Sequence, residues 1–483
     1  MQKKPKYIVL NKVPCWLTRQ YQYWKYVWYK RWKFVTFEFI PLITGLLILI
    51  DSSCWKFDYP LTWHNIFRNT FSSVGAFFDC HVAKLELNFE NVVGIILLLI
   101  SLLAYILGYL EYLKMIKDLS IYRKRNYKDI NFEEKEWALK SVADNFLLVN
   151  EKFNKAFRNH LFSNRPVELK ENFKLNNYSR RELAWRGLEY FRREHKVLWN
   201  DKKVRLHMSI NDMLKSNKNS IITLMKTNYF DYLGTGYYSM KSWFDNNEEI
   251  YNGISLIYDE SARQIKGLTE AQTAHHIGVN ALLITKDKKF IIQKTNAPAA
   301  PDEYAPSGSG SLDINDISDK SFEETLLNGA LREFAQETGW AFIRKHSGKK
   351  KTLEDIENFK KIPLGMSIDI SRGMITDFFF LILTENSSSS DYMEYYKDRL
   401  VRVDKFEVSL KNAMHPVNIV SCCNTTITKQ EIKVNLEEIK KDYQQCAMLT
   451  MSIDFICALL EENSEQSKYL VDFLNKPLLH SPL

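Results

Sequence analysis

The chain has 483 residues, of which 45% are hydrophobic, so it is long enough for about three structural units and apolar enough to bury a globular core. Its 66 lysines and arginines against 58 aspartates and glutamates give a formal net charge of +8. Much of this basic excess flanks two apolar segments near the N-terminus, which indicates membrane orientation and argues against a specific nucleic-acid partner.

The N-terminal part of the chain predicts a membrane region. Residues 1–33 form a cytoplasmic segment in which tryptophans and tyrosines lie among lysines and arginines, as is typical of a membrane interface. Two transmembrane helices are expected within residues 34–113, the first from Phe34 to Ile50 and the second, which has no charged residue, from Val92 to Leu110. Glu38 of the first span would either face a pore or snorkel to the interface.

Basic residues predict the orientation of these spans. Lysines and arginines crowd before the first span and again after the second, so both termini are expected to be cytoplasmic and the loop at about 51–91 to be exported. Cys54 and Cys80 in that loop could form a disulfide. Ala104 and Gly108 in the second span either allow close helix packing, which makes a homo-oligomer a candidate assembly, or have no such role.

Two further segments are expected before the C-terminal domain. Residues 114–164 predict a helical stalk, because the sequence from Phe132 to Phe162 has the apolar periodicity of an amphipathic helix. Residues 165–270 predict a mixed region, with basic helical patches and aromatic turns, that packs on the following domain. No motif in this mixed region fixes a chemistry.

The last part of the chain, residues 271–483, predicts an α/β domain followed by C-terminal helices. It opens with two alternating strands from Val279 to Gln293, joined by a turn at Lys286–Lys289. Asp377–Leu383 predicts a buried strand, and Thr428–Glu462 predicts a pair of helices packed on the domain. The segment expected to carry the chemistry lies between the first two strands and the strand at Asp377–Leu383.

Most of the functional information is in the stretch from Gly308 to Trp340. Ser321 and Glu324 form a Ser-x-x-Glu capping box, in which the hydroxyl closes the first turn and Glu324 reaches back to the cap amide. Apolar residues then recur at helical spacing, and Gly339 stands where a left-handed C-cap is expected. The pattern predicts a helix from about Phe322 to Thr338.

The polar residues of this helix predict a metal site. Glu333, Gln336 and Glu337 stand at i, i+3 and i+4, so their side-chain oxygens converge on one face. Mg²⁺, or Mn²⁺ in its place, takes few protein ligands, mostly carboxylates, and leaves positions for water and for phosphate oxygens. Arg332 would either orient Glu333 or contact a phosphate. An ordinary amphipathic helix with a solvated acidic face would share part of this pattern, but the common register of cap, arginine, glutamates and glycine favours the site.

The sequence from Glu324 to Trp340, which ends in REFAQETGW, resembles the signature of the Nudix hydrolases. The resemblance implies an α/β Nudix fold, a mixed sheet sandwiched by helices, preceded here by the two-helix transmembrane region. It also implies a loop-helix-loop that binds divalent cations and a reaction that attacks a pyrophosphate linked to a nucleoside. In such a site Glu333 and Glu337 would be the metal ligands, and Arg332 and Glu324 the supporting pair.

The sequence departs from this signature at two positions. Gln336 stands where the family usually has a third acid, so the expected metal contact there is neutral and the metal site weaker. Ser318 stands where the family has a glycine, and the nearest upstream glycine is Gly310, so the loop is expected to carry extra residues. Gly308 and Gly310 in this loop, and Arg372 further along the chain, are candidate nucleotide contacts.

The wider arrangement resembles the CD-NTase-associated Nudix effectors of bacterial CBASS anti-phage systems. Two membrane helices precede the domain, HHIGVNALLITKDKKFIIQK precedes the signature, and the YAPSGSGSLD loop lies within the same region. The resemblance implies a multi-pass protein of the bacterial inner membrane, with both termini cytoplasmic. It also implies activation by a cyclic nucleotide made by a CD-NTase, followed by abortive infection.

Three mechanisms are compatible with the sequence. In the first, the domain hydrolyses a nucleoside diphosphate-linked substrate with Mg²⁺, and Asp377 or Glu407 supplies a further carboxylate. In the second, the domain senses a nucleotide and the transmembrane helices disrupt the inner membrane, which the neutral Gln336 makes credible. The third is a housekeeping nucleotide pyrophosphatase tethered to the membrane.

Overall fold

The structure of the protein is a computed structural model. It describes residues 25, 92–103, 106–107, 110, 122–124, 137–143, 145–175, 184, 187–188, 200–215, 220–245, 248–294, 302–338, 358–393, 414–419 and 427–477. The chain divides into two compact units, one with Arg123–Ser242 and Glu249–Leu483 and the other with Trp16–Tyr122 and Trp243–Glu248. The elements around the predicted site all belong to the first of these units.

The strands are short, apart from those at the centre of the largest sheet. In chain order they are β1 (Tyr122–Lys124), β2 (Ala138–Val142), β3 (Asn145–Val149), β4 (Val167–Asn172), β5 (Lys202–Leu206), β6 (Ile222–Asn228), β7 (Lys241–Asp245), β8 (Glu248–Asn252), β9 (Tyr258–Asp259), β10 (Gln264–Ile265), β11 (Ile277–Ile284), β12 (Lys289–Lys294), β13 (Tyr304–Ala305), β14 (Gly308–Ser311), β15 (Lys360–Asp369), β16 (Ile375–Leu383) and β17 (Met414–Asn418).

Most of the helices follow or precede strands of the first unit. They are α1 (Glu151–Arg158), α2 (Ile210–Lys215), α3 (Tyr229–Thr235), α4 (Phe322–Glu337), α5 (Lys429–Asp442), α6 (Ala447–Glu461) and α7 (Glu465–Asn475). Short 3₁₀ helices occur at Gly253–Leu256, Ile314–Asp316 and Ile370–Arg372.

The largest sheet is mixed and has β11 and β16 at its centre. Its strand order is β13-β12-β11-β16-β15-β3-β2, with β14 paired to β11 and β17 paired to β12. β11 and β16 run parallel to each other, whereas β12, β14 and β15 run antiparallel to the strands they pair with. On one side β11 pairs with β14 along Gly278–Ala281 and with β12 at Leu283–Ile284, so β14 is placed beside the first half of β11.

Helices cover both faces of this sheet. Phe379 faces α6, where its ring lies 5.2 Å from that of Phe455, centroid to centroid. The neighbouring Phe378 points to the opposite face, as alternation along a strand requires, and its ring centroid lies 5.6 Å from those of Phe157 in α1 and Phe322 in α4. Because both faces are covered, every residue of β16 is buried, which explains its nearly continuous apolar sequence.

A second, smaller sheet in the same unit has the order β4-β6-β5. β4 runs parallel to β6 and β5 runs antiparallel to it. Isolated bridges join β5 to the region of the largest sheet, from Lys203 to Asp313 and from Arg205 to His276. The mixed region predicted at 165–270 therefore contacts the domain that carries the signature helix.

Several elements predicted from local patterns are confirmed. The strand pair expected from Val279 to Gln293 is the antiparallel hairpin of β11 and β12, and the buried strand at Asp377–Leu383 is β16. The signature helix, expected over Phe322–Thr338, is α4. The helix pair expected within Thr428–Glu462 is α5 and α6.

The helical stalk predicted from Phe132 to Phe162 is wrong over most of its described length. Residues 138–149 form the strands β2 and β3, and the helix α1 begins only at Glu151. Asn150 separates the two conformations, because its side-chain oxygen accepts a hydrogen bond from the amide of Phe153 and caps α1. The apolar run before Asn150 pairs with β15, a long-range contact that outweighs the helical spacing of the sequence.

The predicted two-helix transmembrane region is corrected by the helices that the structure describes. Residues 92–103 are helical, as are residues 106, 107 and 110 of the predicted second span. Within the described residues, no helix combines the length and apolar content needed to cross a membrane. The predicted two-helix transmembrane region and multi-pass inner-membrane localisation are therefore wrong.

Other predicted features lie outside the described residues. They are the aromatic and basic segment 1–33, the first span at Phe34–Ile50, the pair Cys54 and Cys80, the C-cap residue Gly339 and the carboxylate of Glu407.

Replacing Phe378 by alanine tests the layered core. The ring is fully buried between β16, α1 and α4, so Phe378→Ala is expected to destabilise the protein by about 3–5 kcal/mol through lost burial and a new cavity. Urea unfolding followed by circular dichroism measures this change. Leu139→Ala is the control, because Leu139 is 42% exposed and its loss should change stability far less. Equal effects of the two substitutions would contradict the arrangement.

Candidate active site

The N-terminus of α4 is held by its own local sequence. The hydroxyl oxygen of Ser321 accepts a hydrogen bond from the amide of Glu324, as the predicted cap requires. The second half of the predicted capping box is wrong, because the carboxylate of Glu324 accepts hydrogen bonds from Ser318 Oγ at 2.6 Å and from Lys320 Nζ at 2.7 Å. Ser318, which replaces a glycine of the signature, thus supports the start of the helix.

Arg332 lies at the centre of the site's charge network. Its guanidinium donates hydrogen bonds to both carboxylate oxygens of Asp316, at 2.9 Å each, and to the carbonyl oxygen of Ser311 at 2.8 Å. It also donates to Glu333 Oε1 at 2.7 Å. Burial disfavours the charged guanidinium, but the neighbouring carboxylates of Glu333 and Asp316 outweigh it and raise the pKa of Arg332. Arg332 is therefore cationic and positions Glu333.

Arg332 and Glu324, the predicted supporting pair, have separate partners. The acid that holds Arg332 is Asp316, which the sequence analysis missed. Its position was visible in the sequence, because Asp313 and Asp316 form a capping box around the 3₁₀ helix Ile314–Asp316. Lys203 was also missed: its Nζ donates to Asp313 Oδ1 at 2.6 Å, and no local signal links residues so far apart along the chain.

Two glycines let the strand β14 approach α4 closely. A Cβ on Gly308 would lie 2.5 Å from the backbone N and Cα of Phe334. A Cβ on Gly310 would lie 2.2 Å from the carboxyl carbon of Glu333. The carboxylate of Glu333 therefore lies directly over the backbone of β14. The close packing of β14 on α4 accounts for a glycine at both positions. A nucleotide contact at Gly308 and Gly310 stays a prediction.

Glu337 lies over the same strand, one helical turn after Glu333. Its Oε2 accepts hydrogen bonds from the backbone amide of Ser309 at 2.7 Å and from Gln293 Nε2 at 2.5 Å. The network continues into the sheet, where Ser309 Oγ donates to Asn280 Oδ1 at 2.6 Å. Sequence reasoning placed Glu333 and Glu337 on one face, and the structure places both carboxylates against β14.

A buried ion cluster lies further along this network. Asn280 Nδ2 is 3.5 Å from Asp377 Oδ1, and Arg372 donates hydrogen bonds to Asp377 Oδ2 at 2.6 Å and to Asp369 Oδ2 at 2.7 Å. Burial raises the pKa of Asp377 to about 6, partly opposed by the charge of Arg372 and reinforced by that of Asp369. Arg372 is thus paired with the carboxylates of Asp369 and Asp377. To contact a phosphate, its guanidinium would have to leave one of these two carboxylates.

The donor set for a metal ion consists of Glu333, Glu337 and Gln336. Gln336 is exposed, and its amide oxygen is 3.4 Å from Arg332 Nη1. Among the residues described, no group of three or more His, Cys, Asp or Glu side chains is placed to hold a metal. Two carboxylates one turn apart beside the backbone of a glycine strand are hard oxygen donors of the kind that Mg²⁺ takes, so the chemistry of the residues fits this ion.

No protein-family model matches this chain, and no curated protein matches it. The resemblance to the Nudix signature therefore depends on the residues themselves and on the geometry around α4.

The close approach of β14 to α4 gives a prediction about stability. Gly308→Ala should destabilise the protein by about 1–3 kcal/mol, because the added Cβ would overlap backbone atoms of Phe334 that cannot move independently. Thermal unfolding measures the effect. Gly267→Ala is the matched control, since the nearest atom to its added Cβ lies at 3.8 Å. If the two variants unfold at the same temperature, the strand does not pack on the helix in this way.

The buried Asp377 gives a prediction about pH. In the unfolded chain its pKa would be about 3.9, so between about pH 4 and pH 6 the folded protein binds more protons, and this residue makes stability fall as the pH rises. Asp377→Asn should remove that part of the pH dependence. Urea unfolding midpoints at pH 4, 5, 6 and 7 measure it. Asp302→Asn, at a side chain that is 72% exposed, should leave the profile unchanged. A wild-type profile in Asp377→Asn would refute the assignment.

Proposed function

We propose that this chain is a Nudix-type hydrolase that cleaves the pyrophosphate of a nucleoside diphosphate-linked substrate with the help of Mg²⁺. The observation that carries the proposal is the pair of carboxylates, Glu333 and Glu337, which α4 holds one turn apart over the glycine strand β14. Arg332 fixes the first of them through a 2.7 Å hydrogen bond, and Ser309 and Gln293 fix the second. The side chains of an ordinary solvated helix face would not be held by hydrogen bonds from a strand backbone, an arginine and a buried glutamine in this way.

Glu333 and Glu337 would hold the metal ion, with Gln336 as a neutral contact. Bound there, the ion would polarise a phosphoryl oxygen and make a bound water more acidic. Arg332 keeps the Glu333 carboxylate in place, and the amide of Ser309 does the same for Glu337 by donating to its Oε2. Glu324 acts at a distance, by holding the start of the helix through Ser318 and Lys320.

We also propose that this hydrolase is an effector of a CBASS anti-phage system, activated by a cyclic nucleotide from a CD-NTase. The support for this role is that the sequence before the signature and within its loop resembles the CD-NTase-associated Nudix effectors. In this proposal the arrest of the infected cell follows from nucleotide hydrolysis at the α4 site, and no membrane-spanning helix is part of it.

A second candidate function is nucleotide sensing without hydrolysis. Two observations favour it: Gln336 removes a negative charge from the donor set, and the Oε2 of Glu337 already accepts two hydrogen bonds from protein groups. A domain of this kind would bind a nucleotide and transmit the signal through a change in shape.

The hydrolase proposal predicts the effect of removing one carboxylate. Glu337→Gln keeps the side-chain volume, so the fold should persist, while hydrolysis of nucleoside diphosphate-linked compounds should fall by about 100-fold or more. Chromatographic detection of the nucleoside monophosphate formed from a panel of such compounds in the presence of Mg²⁺ measures this. Glu438→Gln, an exposed glutamate of α5, is the control and should keep full activity. If neither the wild type nor the control hydrolyses any compound in the panel, while the panel still binds, the sensor function is favoured.

Restoring the missing acid gives a test in the opposite direction. Gln336→Glu adds a third carboxylate to the same helix face, so the Mg²⁺ concentration at half-maximal activity should fall roughly tenfold. Mg²⁺ titrations of activity measure the change, with Gln336→Ala as a control that removes the amide without adding charge. A Gln336→Glu variant that requires the same or more Mg²⁺ would show that this face does not bind the metal.

A further inference from the structure

The smaller sheet has one apolar and one polar face. Ile222 and Leu224 of β6 lie beside Leu206 of β5 on the apolar face, and all three are fully buried. The register places Lys170, Met225 and Arg205 side by side in one row across the three strands, on the other face. A cleft of about 600 Å³ lies on this polar face, beneath the loop that contains Thr269 and Gln272.

Arg205 is the buried cation of this cleft. The side chain is only 1% exposed, and its terminal nitrogens donate hydrogen bonds to the carbonyl oxygens of Thr273 at 3.0 Å and Leu268 at 2.6 Å. Its Nε is also buried, yet it has no hydrogen-bond partner in the part of the chain that the structure describes. Among the described residues, the hydrogen-bond partners of Arg205 are all uncharged carbonyl oxygens, and burial lowers its pKa to about 9. An anion in the cleft would stabilise this charge.

His207 lines the same cleft, two residues after Arg205. Its Nδ1 is buried and likewise has no partner among the described residues. The exposed side chains of Lys170 and Lys174 line the rim, together with the exposed carboxylates of Glu168 and Glu171. These two pairs of opposite charges balance each other, so the cleft keeps the positive charge of Arg205.

We propose that this cleft is a binding site for the phosphate group of a small anionic ligand, held by Lys170, Arg205 and His207. Arginine and lysine donors match phosphoryl oxygens, and a cleft of this volume has room for a nucleotide as well as for free phosphate. Phosphate fits better than an apolar ligand, because the buried Nε–H of Arg205 would otherwise stay without an acceptor.

The strand β5 connects this cleft to the site on α4. Lys203 and Arg205 project from the same face of β5, and Lys203 Nζ donates to Asp313 at 2.6 Å. Asp313 in turn lies 3.5 Å from the guanidinium of Arg332, which positions Glu333. A ligand that moves β5 would therefore alter the support of Glu333. This coupling rests on the proposed function of α4, whereas binding in the cleft does not.

Isothermal titration calorimetry of the full chain in EDTA tests the binding, with inorganic phosphate, AMP and a cyclic dinucleotide as probes. We expect at least one probe to bind with a stoichiometry of one. Lys170→Ala and His207→Ala should each weaken it about tenfold, as the loss of a hydrogen bond to a charged group predicts. Lys202→Ala is the matched control, because Lys202 is exposed on the same strand but on the opposite face. Binding of inorganic phosphate would identify the phosphate group as sufficient, and binding of the nucleotides alone would identify a nucleotide ligand.

The same titrations on Glu337→Gln separate this site from the α4 site. Binding that is unchanged in Glu337→Gln but weakened about tenfold in Lys170→Ala and His207→Ala supports the cleft, whether or not the chain hydrolyses nucleotides. Absence of binding for all three probes at millimolar concentration would overturn the proposal. So would equal affinities in the wild type, Lys170→Ala and His207→Ala.

Discussion

The site depends on the guanidinium of Arg332, which is partly buried. Burying a cation is costly unless charged partners and further hydrogen bonds surround it, and here Asp316, Glu333 and the carbonyl oxygen of Ser311 do so. These partners come from three places: the 3₁₀ helix before α4, the helix itself and the strand β14. One side chain therefore fixes the distance between the loop, the helix and the strand. The Glu333 carboxylate is held as part of the same network.

The second constraint is the space between β14 and α4. Gly308 and Gly310 bring the strand backbone against the helix, so the carboxylates of Glu333 and Glu337 lie over peptide groups of β14. The sheet makes this possible because β11 pairs with β14 along its first half and with β12 along its second. From Glu337 the hydrogen bonds continue through Ser309 and Asn280 towards the buried Asp377, so the site is connected to the centre of the sheet.

Features that depend on neighbouring residues could be predicted from the sequence. The Ser321 cap, the length of α4, the hairpin of β11 and β12 and the buried strand β16 all follow from local patterns, and the structure has each of them. Features that depend on residues far apart along the chain could not be predicted from it.

The segment before Asn150 pairs with β15 despite its helical spacing, and Lys203 reaches Asp313 from another sheet. The carboxylate of Glu324 accepts hydrogen bonds from Ser318 and Lys320 in place of the predicted cap amide of Ser321. The apolar content at Val92–Leu110 suggested a membrane span, a conclusion that hydropathy alone could not secure and that the described helix does not bear out.

The central claim is that Glu333 and Glu337 together form a divalent-cation site. Electron paramagnetic resonance of Mn²⁺ titrated into the full chain tests it directly, because the signal of free Mn²⁺ decreases when the ion binds. The account predicts saturable binding of Mn²⁺, competition by Mg²⁺, and loss of that binding in the double variant Glu333→Gln, Glu337→Gln with the fold retained. Binding of equal stoichiometry and affinity in the wild type and in the folded double variant would contradict it.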